Sequence, residues 1–205
     1  MSHLDDLRRA FESADQPKNG AGLYMLTLKP SCTVPGIAAS KGDILYVGKA
    51  GDLKKRNHMR GPTSSCTLRR SLAALLPDLH AIPEASTSKQ SANWTLEPAS
   101  DARLTAWMVA NLDVTRIRIP VDKSLSPKDQ RYFLEAEERK LIAEALPPLN
   151  LRDWPSGKIN PHKALIESAR ARLTDQIRAD HRALREAKLR SGQRKAMAEG
   201  ASASR

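Results

Sequence analysis

Two tyrosines, a lysine and an arginine carry the strongest chemical signal in this chain. Tyr24 ends Gly22-Leu23-Tyr24 and Tyr46 begins Tyr46-Val47-Gly48, each close to a glycine in an apolar run, with Lys49 and Arg56 just beyond. A phenol with its pKa at about 10 becomes a useful base only where cations stabilise the phenolate. Lys49 and Arg56 are such cations, and both suit phosphate oxygens. The planar fork of Arg56 fits a pentacovalent phosphate better than a point charge does. Plainer readings stand beside this one: tyrosines are common packing residues in strands, and Lys54-Lys55-Arg56 is also a solvated basic run. His58 is either a partner in proton transfer or a surface histidine.

Glu138 is the second focus. At about 100° per residue, Leu134, Leu141, Ile142, Ala145 and Leu146 make one apolar helix face, and Glu138 falls near its middle. Glu135, Glu137 and Glu144 fall at its edges or outside. A carboxylate on a burying stripe is costly unless paired or bound to a cation. It is therefore either half of a buried salt bridge, with Arg69 or Arg103 as partner, or a metal ligand. A hard cation, Mg²⁺ or alternatively Mn²⁺, needs only one or two protein carboxylates and keeps waters for the rest. Zinc spacing is absent: the five histidines are scattered, and Cys32 and Cys66 make no metal-like pair.

The elements that must position these groups follow from periodicity. Gly22–Leu28 and Ile44–Gly48 read as strands bounded by glycines, joined across 29–43 by a loop too long for a tight hairpin. Val114–Val121 alternates apolar and polar residues and reads as a third strand. Leu4, Leu7 and Phe11 predict a short helix over 4–14; Leu68, Leu72 and Leu75 predict one over 66–76; Asp101–Asn111 predicts another. Residues 77–100 look irregular. Ser126-Pro127 starts a helix that runs to about Leu146, before Pro147-Pro148. Asn160-Pro161 opens a last helix with an apolar stripe Leu165, Ala169, Leu173, Ile177, Leu184, whose last fifteen or so residues are expected to fray. These readings divide the chain into an N-terminal helix (1–19), a central domain (20–152, with 77–100 as an insertion) and a basic amphipathic helix and tail (153–205).

Charge supplies the partner class. A formal charge of +11 and a pI near 10.0 favour nucleic acid, although a ribosome-associated or merely basic protein carries such charge too. Residues 161–205 alone hold eleven Lys/Arg against five Asp/Glu. Two cysteines fit a reducing compartment. Met1–Ala14 has acidic residues and no apolar h-region, so it does not read as a signal peptide, and no apolar run is long enough to span a membrane. The expectation is a cytoplasmic protein with no membrane partner; its oligomeric state is not legible.

Taken in order, Gly22-Leu23-Tyr24, Tyr46-Val47-Gly48, Arg56, Glu138 and Asn150 resemble the GIY-YIG nuclease superfamily over roughly residues 20–152. Arg56 lies ten residues after Tyr46, and Asn150 twelve after Glu138, as in that family. The resemblance implies an α+β fold, a small antiparallel three-stranded sheet flanked by helices, with one divalent metal. It implies hydrolysis of a DNA phosphodiester to 5′-phosphate and 3′-hydroxyl. Tyr24 or Tyr46, assisted by Lys49 or His58, would take the proton of the attacking water, and Arg56 would stabilise the phosphorane. Glu138 would hold the metal, and Asn150 would act near the metal or fix the tyrosine loop. Arg60, Arg69 and Arg70 would contact the nucleic acid. Two departures are visible: the spacer between the tyrosine motifs is long, and the position of the family histidine is taken by Arg60, with His58 two residues before it. The alternative function is a non-catalytic nucleic-acid-binding module on a retained nuclease scaffold.

Overall fold

The computed structural model describes residues 20–29, 33–56, 66–76, 94 and 96–203. Three strands, β1 (Gly22–Leu28), β2 (Ile44–Ala50) and β3 (Leu112–Arg118), form one antiparallel sheet in the order β2-β1-β3. Among the described residues there are four helices: α1 (Thr67–Leu75), α2 (Pro98–Asn111), α3 (Pro127–Ala145) and α4 (Lys163–Ala203). The expected helix over 4–14 lies outside the described residues.

Strand alternation sorts the core into two layers. Leu23, Met25, Ile44, Val47 and Ile117 face α3 and pack against its Leu141 and Ile142. Tyr24, Leu26, Leu28 and Leu45 face the other way, onto Leu68 and Leu72 of α1, Leu104 and Met108 of α2, and Ile166, Ala169 and Leu173 of α4. The architecture is thus α+β, one sheet between helices.

Local chemistry sets the element ends. At α3, Ser126 Oγ accepts from Asp129 N at 3.2 Å and donates to Asp129 Oδ2 at 2.6 Å, and Pro127 occupies the first turn. The helix stops where Leu146 turns left-handed (φ 45°) ahead of Pro147-Pro148. Several boundaries differ from the sequence reading. Helix α2 begins at Pro98, inside the stretch read as irregular, because proline suits the first turn. It passes straight into β3 at Leu112, so no turn residues mark the start of that strand, and the strand ends at Arg118 rather than Val121, short of Pro120. Helix α4 starts at Lys163 and continues to Ala203, past the expected fraying point, through a run rich in Ala, Arg and Lys. Its buried stripe is Ile166, Ala169, Leu173 and Ile177, whereas Leu165 and Leu184 are exposed. Among the described residues, no helix is long and apolar enough to cross a membrane.

Two glycines permit the close approaches that hold the tyrosines. A Cβ on Gly48 would overlap the Tyr24 hydroxyl and ring, and one on Gly22 would overlap the Ile117 carbonyl. Gly48→Ala is expected to cost about 1–3 kcal/mol in urea denaturation, and Gly22→Ala more, because its obstacle is backbone. A double-mutant cycle checks the cause: Gly48→Ala should cost little once Tyr24 is also truncated to Ala.

Candidate active site

Tyr24 pairs across the ladder with Gly48, and Tyr46 sits opposite Leu26, so the two phenols are diagonal neighbours on one sheet face. Their ring centroids are 6.2 Å apart with planes inclined by 29°. Arg56, just beyond β2, hydrogen-bonds the Tyr24 phenol, and Tyr24 in turn hydrogen-bonds Tyr46. Tyr24 is buried and Tyr46 partly so. Burial pushes the Tyr24 phenol far above the ordinary tyrosine range, with Tyr46 adding to the rise and Arg56 opposing it. Tyr46 is pushed up to about 12, chiefly by burial, then by Cys66 and Glu138, while Tyr24 and Arg56 draw it down. Of the two, Tyr46 ionises more easily.

Lys49 is the odd-numbered neighbour of this pair and points to the opposite face, where α3 lies. Its Nζ donates to Glu138 Oε2 at 2.5 Å and stands 3.6 Å from Glu135 Oε1. Glu135 also accepts from Arg131 Nε at 2.9 Å. The result is a ladder of alternating charge, Arg131–Glu135–Lys49–Glu138, on the edge of the sheet. Burial raises the Glu138 carboxyl against the pull of Lys49, whereas the Arg131 hydrogen bond and then Lys49 hold Glu135 below the usual range. Glu138 is buried at 9% exposure, as its helix phase predicts, but its partner is neither Arg69 nor Arg103. Arg69 is fully buried and donates to Asp101 Oδ1 and to Thr105 Oγ1, each at 2.9 Å, and Arg103 donates to Ser100. Arg69, expected to contact nucleic acid, is thus fully buried, with its guanidinium turned to Asp101 and Thr105.

Asn150 holds the edge strand. Its Oδ1 accepts from Val47 N at 2.8 Å and its Nδ2 donates to Val47 O at 2.9 Å, so one amide side chain imitates a neighbouring strand. Both ends of the Asn150 amide are thereby engaged on the backbone of Val47, next to Tyr46, in keeping with the reading that it fixes the tyrosine loop. Asn160 supports it in turn, donating to the carbonyls of Pro148 (2.8 Å) and Asn150 (3.0 Å) and capping His162 N (2.9 Å).

Lys49, Asp52, Lys55, Arg56, Gln130 and Arg131 line an open groove of about 820 Å³ beside this cluster. His58 and Arg60 lie outside the described residues. Arg70 is buried, its Nη2 3.4 Å from Thr67 Oγ1. The sequence reading missed three residues. Glu135 and Arg131 carry a recognisable i,i+4 spacing, which reads as surface pairing until Lys49 is placed beside it. Asn160 is visible as a helix start, but its bond to the Asn150 carbonyl has no local signal.

The sheet thus brings paired tyrosines, an arginine and a lysine–glutamate pair to one edge. The chain matches the GIY-YIG catalytic domain over residues 22–172 and belongs to that family. Membership points to nuclease activity on a nucleic acid. No curated protein and no solved structure matches the chain.

Two tests address this geometry. Asn150→Asp keeps the acceptor for Val47 N but sets a carboxylate oxygen against Val47 O; a loss of about 1–3 kcal/mol is expected in chemical denaturation, with the Tyr24–Tyr46 contact loosened. The raised Tyr46 phenol also has a pH signature. Between about 10, its unfolded value, and about 12, the folded chain retains a proton that the unfolded chain has lost. Stability is therefore full below pH 10 and falls as pH rises through that window. The fall should be shallower in Tyr46→Phe, measured as melting temperature against pH.

Proposed function

We propose that this chain is a divalent-metal-dependent DNA endonuclease that hydrolyses phosphodiester bonds. The observation that carries the reading is that Tyr46, of the Arg56–Tyr24–Tyr46 relay, and Lys49, of the Lys49–Glu138 pair, stand three residues apart on one strand, β2.

The residues fit a hard cation at Glu138. Its Oε2 is held by Lys49, Oε1 accepts no hydrogen bond among the described residues, and Glu135 stands one helical turn away. Among the described residues no three His, Cys, Asp or Glu gather, so a cation here would complete its shell with water, as Mg²⁺ or Mn²⁺ does. When bound, such an ion would supply charge neutralisation at the scissile phosphate and the leaving 3′-oxygen.

The chain's own residues divide the remaining work. Tyr46 is the more exposed and more easily ionised phenol, and as the phenolate it takes the proton of the water that attacks phosphorus. Tyr24 donates to Tyr46, and Arg56 donates to Tyr24, so the relay stabilises the Tyr46 phenolate that must stand ready, its own proton released to solvent, before it can accept one from water. Arg56 and Lys49 oppose the charge that grows on the phosphorane oxygens. As the hydroxide oxygen bonds to phosphorus, the bond to the 3′-oxygen breaks, and that oxygen takes a proton from a solvent water.

A second reading, a nucleic-acid-binding module that has lost catalysis, is favoured by the Lys49–Glu138 ion pair, which gives the carboxylate a partner without any metal. Plasmid nicking separates the two. Cleavage that requires Mg²⁺ or Mn²⁺, stops on chelation, and falls by about 10²–10³ in Arg56→Ala and in Glu138→Ala supports the enzyme. Retention of DNA without nicking under any divalent ion supports the module, and full nicking by Arg56→Ala excludes the mechanism.

A further inference from the structure

Lys49 lies between two carboxylates that are one helical turn apart. Its Nζ donates to Glu138 Oε2 at 2.5 Å and stands 3.6 Å from Glu135 Oε1, on residues spaced i,i+3 along α3. The ammonium thus bonds one carboxylate and leaves the other within reach. Register explains its position: Lys49 is the last residue but one of the edge strand and pairs with Leu23, on the face that α3 covers. Among the described residues, Lys49 and Arg131 line the open groove, and neither Glu135 nor Glu138 does. A cation that enters by the groove to reach Glu138 therefore meets the ammonium first.

A divalent ion and an ammonium on one carboxylate repel each other, because its two oxygens hold them only a carboxylate's width apart. The nearest other acceptor for Lys49 is Glu135. Closing 3.6 Å to about 2.8 Å, an ordinary length for a charge-assisted bond, needs only rotation of the flexible lysine stem. Glu135 is prepared for a second donor. It accepts from Arg131 Nε at 2.9 Å, which uses one of about four lone-pair sites on a carboxylate. The same bond keeps Oε1 in place beside Lys49, and the Glu135 side chain is largely shielded from water.

We propose that Glu135 is a positioning residue for the cation site: it takes Lys49 over from Glu138 when a divalent cation binds there. The inference rests on the reading of Glu138 as a cation ligand; the placement of Lys49 between two carboxylates does not. Without the cation, Lys49 neutralises Glu138. With it, the cation neutralises Glu138 and Glu135 neutralises Lys49, so neither state leaves Lys49 or Glu138 without a counter-charge.

The test is Mn²⁺ binding to the full chain without nucleic acid, read from the electron paramagnetic resonance signal of the free ion. Glu135→Gln should weaken Mn²⁺ binding about tenfold, the loss usual for a group that sets a metal ligand. Lys49→Gln removes the competitor and should bind Mn²⁺ more tightly than the wild type. In the Lys49→Gln background, Glu135→Gln should change affinity about twofold or less, because no ammonium remains to be moved. Lys49→Met takes its place should the glutamine variant not fold. An equal loss from Glu135→Gln in both backgrounds, or no loss in either, overturns the positioning role; a glutamate that only braces α3 gives a lower melting temperature with wild-type Mn²⁺ affinity. Failure of the two ideas is distinguishable. Mn²⁺ binding abolished by Glu138→Ala, with Glu135 effects equal in both backgrounds, removes the positioning role and leaves the cation site. Mn²⁺ binding that survives Glu138→Ala, or is absent from wild type and Lys49→Gln alike, removes the cation from Glu138, and both ideas fall.

Discussion

The two hydrogen bonds between the Asn150 amide and the backbone of Val47 are the constraint on which the site depends. β2 is an edge strand, paired with β1 on one side only, and an unsupported edge is free to fray or shift register. Tyr46 and Lys49 lie on either side of Val47 and point to opposite faces. A one-residue slip would exchange them, sending the phenol toward α3 and the ammonium into the tyrosine layer. Asn150 prevents this by occupying the donor and acceptor that a further strand would use, and Leu149 N bonding Leu45 O at 2.9 Å extends the clasp by one more pair. Asn160 then fixes the clasp itself, tying its carbonyls to the start of α4.

Above that clasp, sterics and electrostatics pull in different directions and both leave a record. Gly48 is bare so that Tyr24 can lie flat against the strand, which buries the phenol and makes its ionisation unfavourable. Arg56 is the counterweight, and its effect passes from Tyr24 to Tyr46 through the phenol–phenol hydrogen bond. The more exposed ring is also the one that ionises more easily. A similar division operates on α3. Glu135, tied to Arg131, keeps its charge readily, whereas Glu138 sits deeper and depends on Lys49 to remain ionised. Two carboxylates one turn apart thus differ in character because their depths differ.

How much of this was legible in the sequence depended on whether the signal was local. Gly22–Leu28 as a strand, the Ser126-Pro127 helix start and the burial of Glu138 all follow from spacing within one element, and all are found. The start of β3 was missed because α2 runs into it without a turn residue. Leu165 was assigned to the buried stripe in place of Ile166, since both satisfy the helical period and only packing against α1 decides between them. Lys49 as the partner of Glu138 has no signature either, because it joins residues 89 apart in sequence. Arg69 and Arg70 are adjacent and chemically identical in sequence, yet one reaches across to Asp101 of α2 while the other lies beside Thr67 of its own helix. That difference is a property of the helix–helix contact, not of the dipeptide.

The placement of the site on an edge strand has a physical logic. In the interior of a sheet, side chains that alternate along a strand are separated by the sheet itself, and no single ligand can touch both sets. At an edge the backbone ends the sheet, so groups on opposite faces can reach around it toward a common point. Tyr46 and Lys49 have this arrangement here: they stand on the same edge strand and face different sides of the sheet, with Lys49 bonded to Glu138. Phosphoryl chemistry needs a proton acceptor on one side of phosphorus and positive charge on the others, which an edge strand can supply from two faces at once. The cost is an exposed row of backbone groups that invites pairing with another chain. Asn150 answers that cost as well, because the amide that sets the register of β2 also closes the edge at Val47.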